Sequence, residues 1–500
     1  MWRRIVLVAL SFIALPVAAQ TNSHTDQLRQ LDAYFAKAAK DWDVPGLAIA
    51  IVYKGQLVFA KGYGVRDART KEPVDTQTTF AIASTTKALT SAALAMLVDE
   101  GKVRWDDPVT KYLPSFEMYD PWVTREVTVR DLITHHGGLP NADYLWSGGD
   151  NSRSEVIRRI RFIKPSYSFR AGYVYHNVMY TAAGAIIEAV SGMTWDEFIR
   201  TRIFQPLGMT RSVTTLEEAY TKPNHAEPHL MDGDTLRVSG NSFSDGIGPA
   251  GSVWSSVADM SKWVKFLLDT GKVNGKPLLT PQTWAELFRP ATILALGNTP
   301  GVRMSKPHFR SYALGWFQQD YQGRQVDYHT GSLTGMIAIN GMIREEGIGV
   351  YILSNTDTEI RHALMWKVFD TFLGLPPRDW STEMLAMYKA DEARDSVAAR
   401  PRSQRVEGTK PSLPLEKYAG TYADPDSLYE NVTITMEDGV LRYRLSSKMA
   451  GTLEHWHYDT FRVVWDDWWR GRSTITFGFG PNGSADRLEI GNFTLRRSRR

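Results

Sequence analysis

The chain has 500 residues, 43% apolar and 11% aromatic, with a formal net charge of +3 and no cysteine. This composition excludes a disordered chain, disulfides and thiolate metal sites, and without a basic block nothing points to nucleic acid or an anionic surface as partner. The length exceeds what one hydrophobic core usually serves, so two domains are expected.

Residues 1–19 carry Arg3 and Arg4, an apolar run from Ile5 to Leu15, the breaker Pro16 and the small Val17-Ala18-Ala19. This is the pattern of a cleaved export signal, which predicts a periplasmic or secreted protein. The run is too short to span a bilayer comfortably and no later stretch of about twenty apolar residues follows, so no membrane anchor is expected after cleavage.

Leu28, Leu31, Phe35, Ala38 and Trp42 mark an amphipathic helix. Leu47–Tyr53 and Gln56–Gly62 flank Lys54-Gly55 as a β-hairpin. In the next apolar stretch, Phe80 to Val98, the only ionisable side chain is Lys87. The helix reads as buried all round, so the Lys87 ammonium loses hydration and its pKa falls towards a value where the amine can accept a proton. Ser84, one turn earlier on the same side, is then an activated nucleophile. A Ser-x-x-Lys match arises by chance roughly once in a chain this long, mostly on solvated helix faces. This one falls where a charge is least expected. Helix, hairpin and helix together predict an antiparallel sheet with helices packed against it, an α+β fold.

Val127 to His135 reads as a short helix stopped by Gly137-Gly138-Leu139-Pro140. His135 and His136 lack metal-ligand spacing and read as packing and a helix-end cation; no metal and no cofactor is called for. Tyr175 and Asn177 stand on the loop entering a helix from Val178 to Val190. A phenol near Lys87 could shuttle protons between Ser84 and a leaving group, and an amide could hold a substrate carbonyl. Taken alone, a buried tyrosine and a turn asparagine are the plainer reading. Thr215 to Ser244 is polar and expected to overhang the cleft. Ser256 and Asp259 have capping-box spacing.

His329-Thr330-Gly331-Ser332 precedes two strand-like runs, Met336–Ile343 and Gly349–Leu353. A strand beside the nucleophile can bind an extended substrate, the small Gly331 letting it approach, and the Ser332 amide can join that of Ser84 in an oxyanion hole. As isolated text the stretch is a strand-end turn. A helix from Glu359 to Leu373 closes this domain, Trp380 to Ala399 reads as a helical connector, and residues 400–414 as a linker. From Leu415 alternating segments (432–436, 441–445, 461–464, 474–477) predict a small antiparallel β-barrel, with Trp456, Trp465, Trp468 and Trp469 expected to fill it.

Three motifs in one chain, Ser84-x-x-Lys87, Tyr175-x-Asn177 and His329-Thr330-Gly331, make it resemble the serine β-lactamase and penicillin-binding superfamily. It is most similar to the class C branch, which includes D-alanyl-D-alanine carboxypeptidases, D-aminopeptidases and related esterases. Leu132–Pro140, Pro206-Leu-Gly-Met209, Pro249–Ser255 and Leu314-Gly-Trp316 share the likeness. It covers about residues 25–375; 376–414 would be connector and linker, and 415–498 resembles a lipocalin-like domain appended to some of these hydrolases. The resemblance implies an all-helical lobe beside the sheet and an acyl-enzyme on Ser84, with Lys87 and Tyr175 exchanging protons. Asn177 would hold the substrate amide, His329, Thr330, Gly331 and Ser332 would line the substrate strand, and the amides of Ser84 and Ser332 would bind the oxyanion.

Many members carry lysine where this chain has His329. Histidine supplies a hydrogen bond or a conditional charge, so acylation by carboxylate-bearing substrates should rise as pH falls through its pKa. This favours a peptidase or amidase acting on peptides containing D-amino acids over an efficient β-lactamase, with β-lactams as substrates or inhibitors. The alternatives are a carboxylesterase or β-lactamase of the same fold and, in another class, a non-hydrolytic penicillin-binding sensor or scaffold. Oligomeric state is not legible. The lack of a Gly-x-Ser-x-Gly elbow argues against an α/β-hydrolase.

Overall fold

The computed structural model describes residues 18–399 and 405–498; the expected export signal lies outside them except for Ala18 and Ala19, which begin the first helix, α1 (Ala18–Asp41). Strands β1 (Gly46–Tyr53) and β2 (Gln56–Gly64) form the expected antiparallel hairpin. Its turn holds Lys54 at φ 45° and Gly55 at φ 75°, the positive pair that matches the twist of a tight hairpin. Helices α2 (Thr86–Asp99), α3 (Val178–Ser191) and α4 (Val257–Leu268) follow. The chain then lays down β3 (Thr292–Leu294), β4 (Arg310–Tyr312), β5 (Phe317–Tyr321), β6 (Arg324–Leu333), β7 (Met336–Ile343) and β8 (Ile348–Ser354). Helices α5 (Ile360–Leu373) and α6 (Trp380–Ala399) complete this part. The sheet order is β2-β1-β8-β7-β6-β5-β4-β3, antiparallel at every pairing.

Both faces of the sheet are covered, which is why β1, β7 and β8 read as unbroken apolar runs rather than alternating ones. Leu47, Ile49 and Ile51 pack with Phe35 of α1 and with Leu364 and Phe369 of α5. Ala48, Ala50 and Val52 face the larger core built on α2, α3 and α4. Helix α2 is buried continuously from Thr86 to Leu97, Lys87 included.

Three expectations change. The helix foreseen from Val127 to His135 shrinks to Val129–Leu132, held by a capping box between Thr128 and Asp131. At Ser256 the box is half made: its hydroxyl accepts from the Asp259 amide, while the Asp259 carboxylate turns to the amides of Arg211 and Ser212. Helix α6 is more than a connector, because Trp380 is buried, stacks on Trp366 at 5.8 Å and donates its indole N–H to Asp370 at 2.6 Å.

The C-terminal strands β9 to β16 (Gly420–Ala423, Val432–Glu437, Val440–Ser446, Met449–His457, Thr460–Trp465, Ser473–Phe479, Ala485–Ile490, Phe493–Arg497) pair consecutively, and the first pairs with the last, giving a closed antiparallel barrel. An eight-stranded barrel has an interior just wide enough for side chains, and Tyr418, Tyr422, Tyr443, Phe461 and Phe477 occupy it. Of the four tryptophans expected there only Trp465 joins the core. Trp468 lies under the Arg237 guanidinium, 4.5 Å away, and Trp469 packs on Gly240, where a Cβ would come within 2.6 Å of its indole nitrogen.

Candidate active site

A short strand, Phe80–Ala81, pairs with Trp254–Ser255, and a 3-10 turn, Ala83–Thr85, leads from it into α2. Ala83 is held at φ 48°, a left-handed conformation costly for a residue with a Cβ, of the kind that collects at functional turns. The turn leaves Ser84 half-buried at the head of a helix whose following residues are sealed. Residues three apart share one side of a helical turn, and Lys87 Nζ, from the first turn of α2, donates to Ser84 Oγ at 3.1 Å. Its other protons reach Asn177 Oδ1 at 2.7 Å and the Ala250 carbonyl at 2.9 Å. Burial still pushes its pKa well below the usual lysine range, opposed by the charge of Asp143. An amine poised to lose a proton therefore touches the hydroxyl that must give one up.

Tyr175 presents its ring 4.8 Å from Lys87 Nζ. Its hydroxyl is buried and closes no hydrogen bond of ordinary geometry among the described residues. Burial raises its pKa well above the usual phenol value, and the Ser84 hydroxyl is the group that opposes the rise. Catalytic contacts of this type are often loose before substrate arrives. Asn177 caps α3 by position yet gives its side chain to no capping bond. Its oxygen accepts from Lys87 and its NH2 donates to Asp143 at 2.9 Å.

The strand carrying His329, Thr330, Gly331 and Ser332 is β6, paired with β7. A Cβ on Gly331 would lie 2.2 Å from the Ile82 carbonyl and 3.1 Å from Ala83, so the glycine serves the close approach of this strand to the Ser84 turn, where substrate approach was the expected reason. Gly331→Ala is expected to cost about 1–3 kcal/mol of stability, measured by thermal melting. It should also slow acylation of Ser84 about 10²-fold by moving strand and turn apart. Arg361, buried on α5, donates to the Gly331 carbonyl, to Ser332 Oγ at 2.8 Å and to the Ala338 carbonyl at 3.4 Å. It ties down the strand end next to a cavity of 460 Å³ lined by Ser332, Thr334, Trp146, Ser242 and Asp357.

His329 overturns one expectation. It is 1% exposed, donates from Nδ1 to its neighbour's carbonyl (Thr330 O, 2.7 Å) and accepts at Nε2 from the Tyr312 hydroxyl at 2.9 Å. Burial, helped by the Lys87 charge, pushes its pKa down to about 3. It is a neutral imidazole with both nitrogens engaged, not a conditional charge, since protonation above that pH would cost its hydration and the bond from Tyr312. Carboxylate-bearing and neutral substrates are therefore expected to show parallel pH profiles between about pH 5 and 8, the interval in which an unperturbed histidine would titrate. Stopped-flow acylation of paired substrates checks this, and a selective gain for the acids at low pH would contradict it.

Reasoning from sequence missed Asp143, Tyr312 and Arg361. None of the three left a trace that set it apart, since the helix of Arg361 also carries His362, Lys367 and Asp370. His135 packs against Tyr175, their rings 4.4 Å apart, and His136 pairs with Asp131 at 2.6 Å. Among the described residues no group of three or more metal-ligating side chains converges.

An antiparallel sheet with helices on both faces, and a lysine-paired serine at the head of a buried helix, define the β-lactamase and transpeptidase class of fold. The chain belongs to the Beta-lactamase family, whose model matches residues 31–374. A second family model, described as a domain of unknown function (DUF3471), matches residues 404–498. The chain is 28% identical over 445 residues to Unguisins hydrolase ungD' of Aspergillus campestris (strain IBT 28561), covering 84% of this chain and 80% of that one. It is 26% identical over 343 residues to Protein flp of Staphylococcus aureus (strain N315), covering 68% and 65%. Solved structures share its fold, two of which follow. One is an octameric penicillin-binding protein homologue from Pyrococcus abyssi, with TM-score 0.62, 24% identity and coverage of 94% of this chain and 99% of that chain. The other is SurE, with TM-score 0.59, 19% identity and coverage of 95% and 100%. No helix among the described residues is long and apolar enough to cross a membrane.

Proposed function

We propose that this protein is an exported serine hydrolase that cleaves amide bonds of peptides containing D-amino acids through an acyl-enzyme on Ser84. The observation that carries the reading is the buried Lys87 amine 3.1 Å from Ser84 Oγ. Ser84 Oγ attacks the carbonyl carbon while its proton passes to Lys87 Nζ, and the oxyanion forms against the amides of Ser84 and Ser332. Tyr175 delivers a proton to the leaving nitrogen as the C–N bond breaks, with Asn177 holding the substrate amide. Lys87 passes the proton it took to Tyr175; water then attacks the ester, losing a proton to Lys87 Nζ, which hands it to Ser84 Oγ as the C–O bond breaks.

The substrate class draws on relatives: one is by name an Unguisins hydrolase, and SurE has been solved with D-Leu. A neutral, buried His329 supplies no cation for a substrate carboxylate, which favours an aminopeptidase or amidase over a D,D-carboxypeptidase. The deciding experiment is a panel of D-alanyl peptides, N-terminal D-amino acid amides, nitrocefin-type β-lactams and short esters, with Ser84→Ala as blank. D-amino acid amides should turn over fastest; preference for short esters would make it an esterase, and labelling without product a sensor. Export is tested by sequencing the N-terminus of the mature protein, expected to begin at Gln20.

A further inference from the structure

Asp143 lies on the loop after Gly137-Gly138-Leu139-Pro140, and its carboxylate accepts from Asn177 Nδ2 at 2.9 Å and from the Trp146 indole at 2.8 Å. A carboxylate can only accept hydrogen bonds and an ammonium can only donate them. With Asp143 on one side of Asn177 and Lys87 on the other, the amide has a single orientation that satisfies both. Were Asn177 to turn over, its oxygen would face a carboxylate and its NH2 an ammonium. We propose that Asp143 is a positioning residue for Ser84 chemistry, holding the Asn177 amide so that its oxygen anchors the Lys87 amine beside the nucleophile.

The loop is held from outside by the barrel. Asn151 Nδ2 donates to Glu430 at 2.8 Å, Ser446 Oγ donates to the Gly148 carbonyl at 2.6 Å, the Ser447 amide donates to Asp150 at 2.7 Å, and Tyr144 packs on Phe493 at 4.8 Å. These contacts fall between Tyr144 and Asn151 and tie the segment that follows Asp143 to the barrel.

The inference rests on the acyl-enzyme reading and has a signature of its own. The titratable groups facing the Lys87 site are the Tyr175 and Tyr180 phenols, the His135, His176 and His329 imidazoles, and Asp143. The imidazoles are held neutral by burial, and Asp143 is the carboxylate that favours the protonated amine. Removing its charge lets Lys87 stay neutral to lower pH, so the acid limb of the acylation profile moves to lower pH.

The test measures labelling rate against pH with a fluorescent fluorophosphonate, for wild type, Asp143→Asn and Asp143→Glu, with Ser84→Ala as blank. Asp143→Asn is expected to label about tenfold more slowly at neutral pH, the scale of one charge-assisted hydrogen bond, with its acid limb displaced to lower pH. Asp143→Glu, which keeps the charge, should restore the limb. An acid limb in Asp143→Asn that coincides with wild type overturns the proposal whatever the rate. A rate cycle supplies a second measurement: on an Asn177→Ala background, Asp143→Ala should add little further loss, and fully additive losses overturn the proposal. Labelling that survives Ser84→Ala would instead sink the acyl-enzyme reading, a different outcome.

Discussion

Ser84→Ala is expected to abolish covalent labelling by a fluorescent penicillin or a phosphonate and to lower turnover of any amide substrate by roughly 10⁴-fold or more, the scale seen when an acyl-enzyme nucleophile is lost. The neighbouring threonine hydroxyls are not placed to take over: Thr85 and Thr86 are buried, and Thr85 Oγ1 is bonded to the Ile82 carbonyl and to Tyr351. Folding should be undisturbed, since Ser84 is half-exposed and Lys87 keeps its bonds to Asn177 and Ala250. Intact-mass spectrometry after labelling reads the result, and an adduct on the variant would remove Ser84 from its role.

Lys87→Ala should slow acylation about 10³-fold, within the range for loss of a positioned general base, while the protein still melts cooperatively. The two effects separate because the ammonium pays for its burial in hydration, so losing it relieves that penalty even as Asn177 and Ala250 lose a donor. Both acceptors are neutral, and a water in the vacated volume can serve them. Single-turnover kinetics alongside calorimetry checks both halves; wild-type acylation would refute the proton-transfer role, and a lost transition would show that Lys87 is structural first.

The barrel ties the two halves of the molecule to one site from a side the motifs do not touch. Trp468, Trp469 and Arg470 pack on the stretch from Arg237 to Phe243, and Ser242 in that stretch bonds Thr334, two residues beyond Ser332, at 2.7 Å. The polar segment from Thr215 to Ser244, expected to overhang the cleft, thus links the barrel to the end of β6.

By itself the sequence determined the local geometry of this protein. A lone lysine in an apolar helix, one turn from a serine, was legible because both lie on one element whose period is known, as were the hairpin and the alternating strands of the barrel. Tertiary structure decided what the side chains do. Lys87 meets Asn177 and Ala250 from 90 and 163 positions away, His329 is neutral because Tyr312 on another strand bonds it and the core seals it, and Gly331 is small because Ile82 passes 2.2 Å from where its Cβ would be. Protonation state, amide orientation and room for an atom depend on what distant chain brings alongside, and periodicity within one element carries no information about that.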